Sequence, residues 1–394
     1  MKKTIAVVMA ALMLLAGFVA CTASNNTPAA TTDNTKTEST AAAIKIGGTG
    51  PLTGAAAIYG QACANAAQIA VDEINALGDL QFELRYEDDA HDPEKAVNAY
   101  AALKDWGVQA TLGSVTTKPA LATSPLNNED NIFAITPSAS AVDVAAGKDN
   151  VFQMCFTDPN QGTASADYIA SKQLGTKIAI IYNNGDAYST GIYQTFVNEA
   201  AKHTEFEIVS TTTFTDETAT DFSAQIADAK DNGADLIFLP IYYQPASLIL
   251  KQCKDIGYAP VFFGVDGMDG ILTMEGFDAS LAEGVMLLTP FNADATDAKT
   301  VNFVKTYQEK HGEIPNQFAA DAYDCVYAIY EACKNGNVTP DMTAQQINEI
   351  LKAQFTSMTF NGLTGENMTW SAEGFVSKAP KGMVIQNGAY VGME

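Results

Sequence analysis

Three loops in the first half of the chain are rich in hydroxyls, two of them beside glycines, in a way that suits an anion. An apolar run at 44–47 leads into Gly48-Thr49-Gly50-Pro51-Leu52-Thr53-Gly54 and then Tyr59-Gly60. A run at 110–113 leads into Ser114-Val115-Thr116-Thr117, and one at 132–136 into Pro137-Ser138-Ala139-Ser140. Hydroxyls and unpaired backbone N–H groups at a helix start hold a carboxylate well, because the helix dipole adds positive potential there. The loops of the second half differ. They read Asn183-Asn184-Gly185-Asp186-Ala187-Tyr188, then Tyr242-Tyr243-Gln244, then Val265-Asp266-Gly267. One acid, Asp266, with several tyrosines suits an ammonium on an apolar body. The two sets together describe the zwitterion of an amino acid. Each residue also has a plainer reading: Thr117, Ser138 and Ser140 as helix caps, Asp266 as a turn former, Phe318 as core.

Other chemistries find less support. Gly48-Thr49-Gly50 does not continue as a dinucleotide-binding glycine loop, because the helix that should follow is expected only near Gly60. There is no Gly-x-Ser-x-Gly, no histidine beside a nucleophile and no metal-ligand spacing among His91, His203 and His311. The chain therefore reads as a binding protein and not an enzyme, with no cofactor and no metal.

Such loops need a scaffold that brings strand ends together. From residue 44 short apolar runs alternate with amphipathic stretches. Strands are expected at 44–47, 81–86, 110–113 and 132–136, and helices at 61–77 and 92–106, the second capped by Asp92-Pro93. After Val151 the alternation restarts, with strands at 177–182, 206–211, 236–240 and 261–264 and helices at 191–202, 223–232 and 246–257. Helices at 298–311, 316–334 and 343–353 come next, then short strand-like pieces over 358–388. Strand–helix alternation with short loops means parallel sheets covered on both faces, so the fold class is α/β with two doubly wound, Rossmann-like lobes. Ligands of such sheets bind at the carboxyl ends of the strands, where all the loops above sit.

The remaining features bear on compartment and partners. Lys2 and Lys3, the apolar stretch 4–20 and then Cys21 form a secretory signal with a lipid-attachment cysteine, Val19 and Ala20 being small or aliphatic and Phe18 standing where Leu is usual. The alternative is an uncleaved membrane anchor; both place the body outside the cytoplasm. Residues 22–42 are rich in Thr, Asn, Ser and Ala and read as a flexible tether. The formal charge is −24, or −26 once Lys2 and Lys3 leave with the signal, and Arg85 is the single arginine. That balance argues against nucleic acid or anionic lipid as partners. Cys63, Cys155, Cys253, Cys325 and Cys333 are scattered and odd in number, which fits small buried residues better than a disulfide framework.

The order of these motifs resembles one family. Gly50-Pro51-Leu52-Thr53-Gly54 with Tyr59-Gly60, then Tyr86-Glu87-Asp88-Asp89 with Asp92-Pro93, then Ile135-Thr136-Pro137-Ser138-Ala139-Ser140, then Phe156-Thr157-Asp158 with Gln161-Gly162, is similar to the leucine/isoleucine/valine-binding proteins. These are type I periplasmic binding proteins serving ABC importers. The resemblance runs from Ile44 to about Gly388. It implies a periplasmic-binding-protein-like fold with a hinge of three crossovers, one lobe at 43–156 and 288–356 and the other at 157–287 and 357–394, behind a signal peptide at 1–20 and a tether at 21–42. It implies that Thr117, Ser138 and Ser140, with Ala139 between them, hold the ligand carboxylate, that Asp266 holds the ammonium, and that Tyr59, Tyr188 and Tyr242 close on the ligand. Val115, Thr116 and Phe318 become the side-chain wall; Tyr242 and Tyr243 compete for the cleft. Lys118 either faces solvent or tunes the pocket, and His91 stands where some relatives carry a disulfide cysteine. The implied partners are a free amino acid and the permease subunits of an importer, with the membrane met only through the lipid at Cys21 and the protein a monomer. Leu, Ile and Val lead as ligands, ahead of another amino acid, an amide or an aromatic acid, and a sensor role remains the alternative to import.

Overall fold

A computed structural model describes residues 42–393. The signal, Cys21 and all of the tether before residue 42 lie outside the described residues. The first sheet is built from β1 (Ile44–Gly50), α1 (Ala57–Leu77), β2 (Phe82–Asp88), α2 (Pro93–Trp106), β3 (Ala110–Leu112), α3 (Thr117–Asp130), β4 (Phe133–Thr136), α4 (Val142–Ala145) and β5 (Val151–Gln153). Its strand order is β2-β1-β3-β4-β5, all parallel. Strands β3 and β4 and the edge strand β5 are buried at every position, as expected of a parallel sheet covered on both faces.

The chain crosses after β5 and winds a second time through α5 (Asp158–Lys172), β6 (Lys177–Asn183), α6 (Ala187–Ala200), β7 (Glu207–Phe214), α7 (Ser223–Asp231), β8 (Leu236–Leu239), α8 (Tyr243–Asp255), β9 (Val261–Gly264) and β10 (Met286–Thr289). It then returns as α9 (Ala298–His311), α10 (Gln317–Asn335) and α11 (Ala344–Phe355), which cover the first sheet: α10 packs along α1 and α11 against β4. A last crossing adds β11 (Lys381–Gln386) and β12 (Ala389–Gly392) as antiparallel edge strands beyond β10, giving β12-β11-β10-β9-β8-β6-β7. β10 straddles the boundary expected at 287/288, so the middle crossing follows Thr289.

Both sheets share the order 2-1-3-4-5 in their parallel part, so each has a switch point, between β1 and β3 in one and β6 and β8 in the other. Loops diverge there and leave a crevice at the strand ends. Tyr59 and Val115–Thr117 follow the first switch point; Tyr188 and Tyr242 follow the second.

Local chemistry sets the elements that matter. Asp92 accepts from Lys95 N and Pro93 opens α2, while Gly107 closes it in the left-handed region at φ 87°. α1 begins four residues earlier than its apolar periodicity implies, and Gly60 lets it: a Cβ there would lie 2.1 Å from the Pro51 carbonyl oxygen. That close approach seats Tyr59 at the crevice. Under the first sheet Phe133, Phe152, Phe355 and Trp370 pack with centroids 4.8–5.3 Å apart, and Trp370 Nε1 donates to Gln153 O at 2.9 Å. A second pin crosses the hinge: Lys378 Nζ meets Asp321 Oδ1 at 2.5 Å and Thr364 Oγ1 at 2.7 Å, with both charges almost fully buried. Among the described residues no helix is long and apolar enough to cross a membrane. The five cysteines of the body are free and buried.

Candidate functional site

The two switch points face each other and enclose one cavity. Its walls are Val115, Thr116, Thr117 and Ser138 from the first sheet's loops, Tyr59 and Phe318 from the starts of α1 and α10, and Tyr188, Tyr242, Asp266 and Gly267 from the second sheet. The space unfilled by protein atoms is about 220 Å³. The part of it that a water-sized molecule can occupy is only about 10 Å³, room for about one water, so the walls must part before a solute enters. Larger depressions elsewhere are more open grooves with polar linings, one including Gln61, Gln244 and Glu275, another Asp297, Lys299 and Glu366.

Thr117 opens α3, and its Oγ1 is buried without a hydrogen-bond partner. An orphaned buried hydroxyl at a helix start is costly unless a ligand satisfies it. Ser138 lines the cavity beside it. Ala139 and Ser140 stand behind the wall. The Ala139 amide is taken by Thr136 Oγ1 at 3.0 Å and its carbonyl by Gln153 Nε2 at 2.6 Å. Ser140 is fully buried, and its hydroxyl, without a well-formed hydrogen bond, faces the Asp158 carboxyl and favours its charged form.

Opposite stands Asp266, 3% exposed. Tyr188 Oη donates to Asp266 Oδ1 at 2.6 Å and accepts from Gly267 N at 2.9 Å. Gln317 Nε2 donates to the Asp266 carbonyl at 3.1 Å. Burial pushes the Asp266 carboxyl up to about 7, the Tyr188 hydroxyl holding it partly down. Asp158, which opens α5, is also pushed well up by burial. This side of the cavity is therefore rich in acid, and among the described lining residues none is cationic. A ligand ammonium would relieve it.

Aromatic rings make the rest. Tyr188 and Tyr242 stack at 4.7 Å, and Tyr59 meets Phe318 at 4.4 Å and Tyr242 at 5.7 Å. Tyr242 lines the cavity, whereas Tyr243 packs behind Tyr59, which settles which of the pair faces inward. Tyr59 Oη donates to the Gly267 carbonyl across the cleft and accepts from Tyr243 N at 3.2 Å. A Cβ at Gly267 would stand 2.6 Å from Tyr188 Oη and 3.1 Å from the Tyr242 ring, so glycine is needed for this closure.

Several neighbours escape a reading of the sequence. His91 and Ala90 both hold positive φ, 61° and 47°. That conformation aims His91 Nδ1 at Thr116 Oγ1, 2.8 Å away, and its ring at Tyr242. The two positions are thus joined by a hydrogen bond, and the Thr116 hydroxyl is satisfied. Asp89 is fully buried, accepts from His91 N at 2.9 Å and is pushed up to about 7 by burial. Lys118 lies outside the cavity, where its Nζ meets Asp216 Oδ2 of the other lobe at 3.4 Å. Asp167, Glu199 and His203 bring ligand atoms within 4.8 Å of one another on the surface, but His203 pairs with Asp167 and Glu199 with Lys202, the ordinary partners of surface charges.

A periplasmic binding protein family model matches residues 43–387, and the chain belongs to that family. It is a family of solute-binding proteins, not enzymes. The chain is 27% identical over 313 residues to the leucine-, isoleucine-, valine-, threonine- and alanine-binding protein of Pseudomonas aeruginosa, covering 77% of this chain and 82% of that one. Among solved structures, LivJ of Streptococcus pneumoniae, a branched-chain amino acid transporter substrate-binding protein in complex with isoleucine, is 28% identical over 89% of this chain and all of its own, with a TM-score of 0.79. A solute-binding protein of an ABC transporter from R. palustris, in complex with benzoate, shares the fold at the same TM-score with 19% identity, covering 89% of this chain and 95% of its own.

Proposed function

We propose that this chain is the extracytoplasmic, solute-capturing component of an ABC importer and that it takes a small neutral amino acid, branched aliphatic ones first. The observation that carries the reading is one cavity holding an unpartnered Thr117 hydroxyl on one side and a buried Asp266 carboxyl on the other. The carboxylate docks on Thr117, Ser138 and the free N–H groups of the α3 start; the second lobe then closes and brings Asp266 to the ammonium. Val115, Phe318 and the Tyr59 and Tyr242 rings take the apolar side chain. The satisfied Thr116 hydroxyl favours that assignment, because it leaves no polar demand on the wall. The names of the relatives point the same way, and the benzoate-bound relative makes an aromatic acid the control ligand.

Calorimetry with the twenty amino acids, benzoate and small amides tests the ligand. Saturable binding of Leu, Ile or Val, abolished in Asp266→Ala, is the expected result; benzoate binding that survives Asp266→Ala would replace the reading. Loss of uptake in a deletion strain separates importer from sensor. Anchoring through a lipid on Cys21 is tested by mass spectrometry of the mature N-terminus, and Cys21→Ala should release the protein from the membrane fraction. A single monomer mass in light scattering is expected.

A further inference from the structure

A second recess shares no lining residue with the amino-acid cavity. It forms where the 313–316 loop before α10 meets the turn after Asp269 and the final strand β12, and it encloses about 870 Å³ counting its open mouth. Leu272, Ile314 and the Tyr390 ring form apolar walls. Ile314 is 53% exposed, so its side chain is free to meet an occupant. Asp269 also lines the recess and is only 3% exposed. Its Oδ2 accepts from Gln317 N at 2.8 Å; Oδ1 has no well-formed hydrogen bond, although the Tyr390 hydroxyl and the Gly270 N–H lie close enough to favour the charged carboxyl. Burial pushes this carboxyl up to about 6, so it is ionised at neutral pH. Asp294 and Glu313 add negative charge at the rim, and among the described lining residues there is no Lys, Arg or His. A buried carboxylate oxygen without a well-formed hydrogen bond calls for a cationic donor.

We propose that this recess is a second binding site, for a primary-amine cation with an apolar body, its ammonium on Asp269 Oδ1 and its body against Leu272, Ile314 and Tyr390. A free amino acid is disfavoured, because Asp294 and Glu313 at the rim repel its carboxylate. The loop before α10 belongs to the first sheet's cover and the other walls to the second sheet, so an occupant touches both lobes. The site stands apart from the amino-acid reading and is tested apart from it.

The probe is 2-phenylethylamine, titrated into the intact chain by calorimetry with 3-phenylpropionate as the charge-reversed control. The amine binds and the carboxylate does not. Asp269→Asn keeps an acceptor for Gln317 N, removes the charge, and weakens the amine roughly 10–100-fold, the worth of one charge-assisted hydrogen bond. Ile314→Lys, on an exposed position where folding is not at stake, weakens it comparably. Asp266→Asn leaves it unchanged. The proposal is overturned if the wild-type chain shows no saturable amine binding, or if Asp266→Asn abolishes binding while Asp269→Asn and Ile314→Lys do not, which would place the amine in the amino-acid cavity.

Discussion

Capture of an amino acid at Asp266 should release a proton, and the size of that effect follows from the cavity. Burial holds the carboxyl near 7, far above an exposed aspartate, and the ligand's ammonium is its natural counter-ion. Binding therefore favours the carboxylate, so affinity is full above pH 7 and falls as the pH drops through that value. At pH 5.5 only about 3% of the free protein would carry the carboxylate, so the affinity should be roughly thirtyfold below its plateau above pH 8. Calorimetry with leucine at pH 5.5, 7 and 8.5, each in two buffers of different ionisation enthalpy, reads both the affinity and the protons released. Asp266→Asn should flatten the profile and weaken binding at high pH, by ~3–5 kcal/mol if the ammonium is left buried and unpaired. A profile that stays steep in Asp266→Asn, or wild-type binding without proton release at pH 7, would refute the assignment.

Three further outcomes follow. Burial raises Asp89 to about 7 and Asp186, Asp269 and Asp321 to about 6, so between about pH 4 and 7 the folded chain holds protons that the unfolded chain has lost; stability should fall as pH rises through that window, and calorimetric melting should give a higher Tm at pH 5 than at pH 7.5. Lys378→Met leaves Asp321 buried without its partner and should cost ~3–5 kcal/mol in denaturant unfolding, whereas replacing both by apolar residues should recover most of that loss. Thr117→Val keeps the shape of the α3 start and should weaken leucine about tenfold with Tm unchanged; equal affinity would remove Thr117 from the carboxylate site.

The alternation of elements was legible because many helices carry an apolar stripe, and α2, α6, α9, α10 and α11 a side-chain cap as well. α2 shows Asp92, Pro93 and Gly107 in order, and its bounds could be read almost to the residue. α3 and α5 were not foreseen, because Thr-Lys-Pro-Ala-Leu-Ala-Thr-Ser-Pro and Asp-Pro-Asn-Gln-Gly-Thr-Ala-Ser carry small and polar residues where a stripe should be. Tertiary packing holds them instead, α5 against α6 and α3 against α2. β5 and β10, of three and four residues, are too short to show a period. In the site, nine of the side chains expected at the ligand line the cavity, because strand-end loops carry recognisable residues in a recognisable order. Ala139 and Ser140 stand back because Thr136 and Gln153 claim the Ala139 backbone, a pairing with no local signature. His91 was invisible for another reason: its place depends on left-handed backbone at Ala90 and His91, residue types that do not announce it.

Tyr59 uses its hydroxyl to bond the Gly267 carbonyl and the Tyr243 amide of the other lobe, and Lys118 reaches Asp216 from the rim. Much of what holds the lobes together is thus protein to protein. The dwell time of a captured solute is then set largely by how often this clasp loosens. Solutes should differ in escape by the bonds they add to this clasp, the pairing with Asp266 above all, while the clasp itself is common to every solute. Tyr59→Phe should shorten every dwell alike, making this residue a common timer for hand-over to the permease.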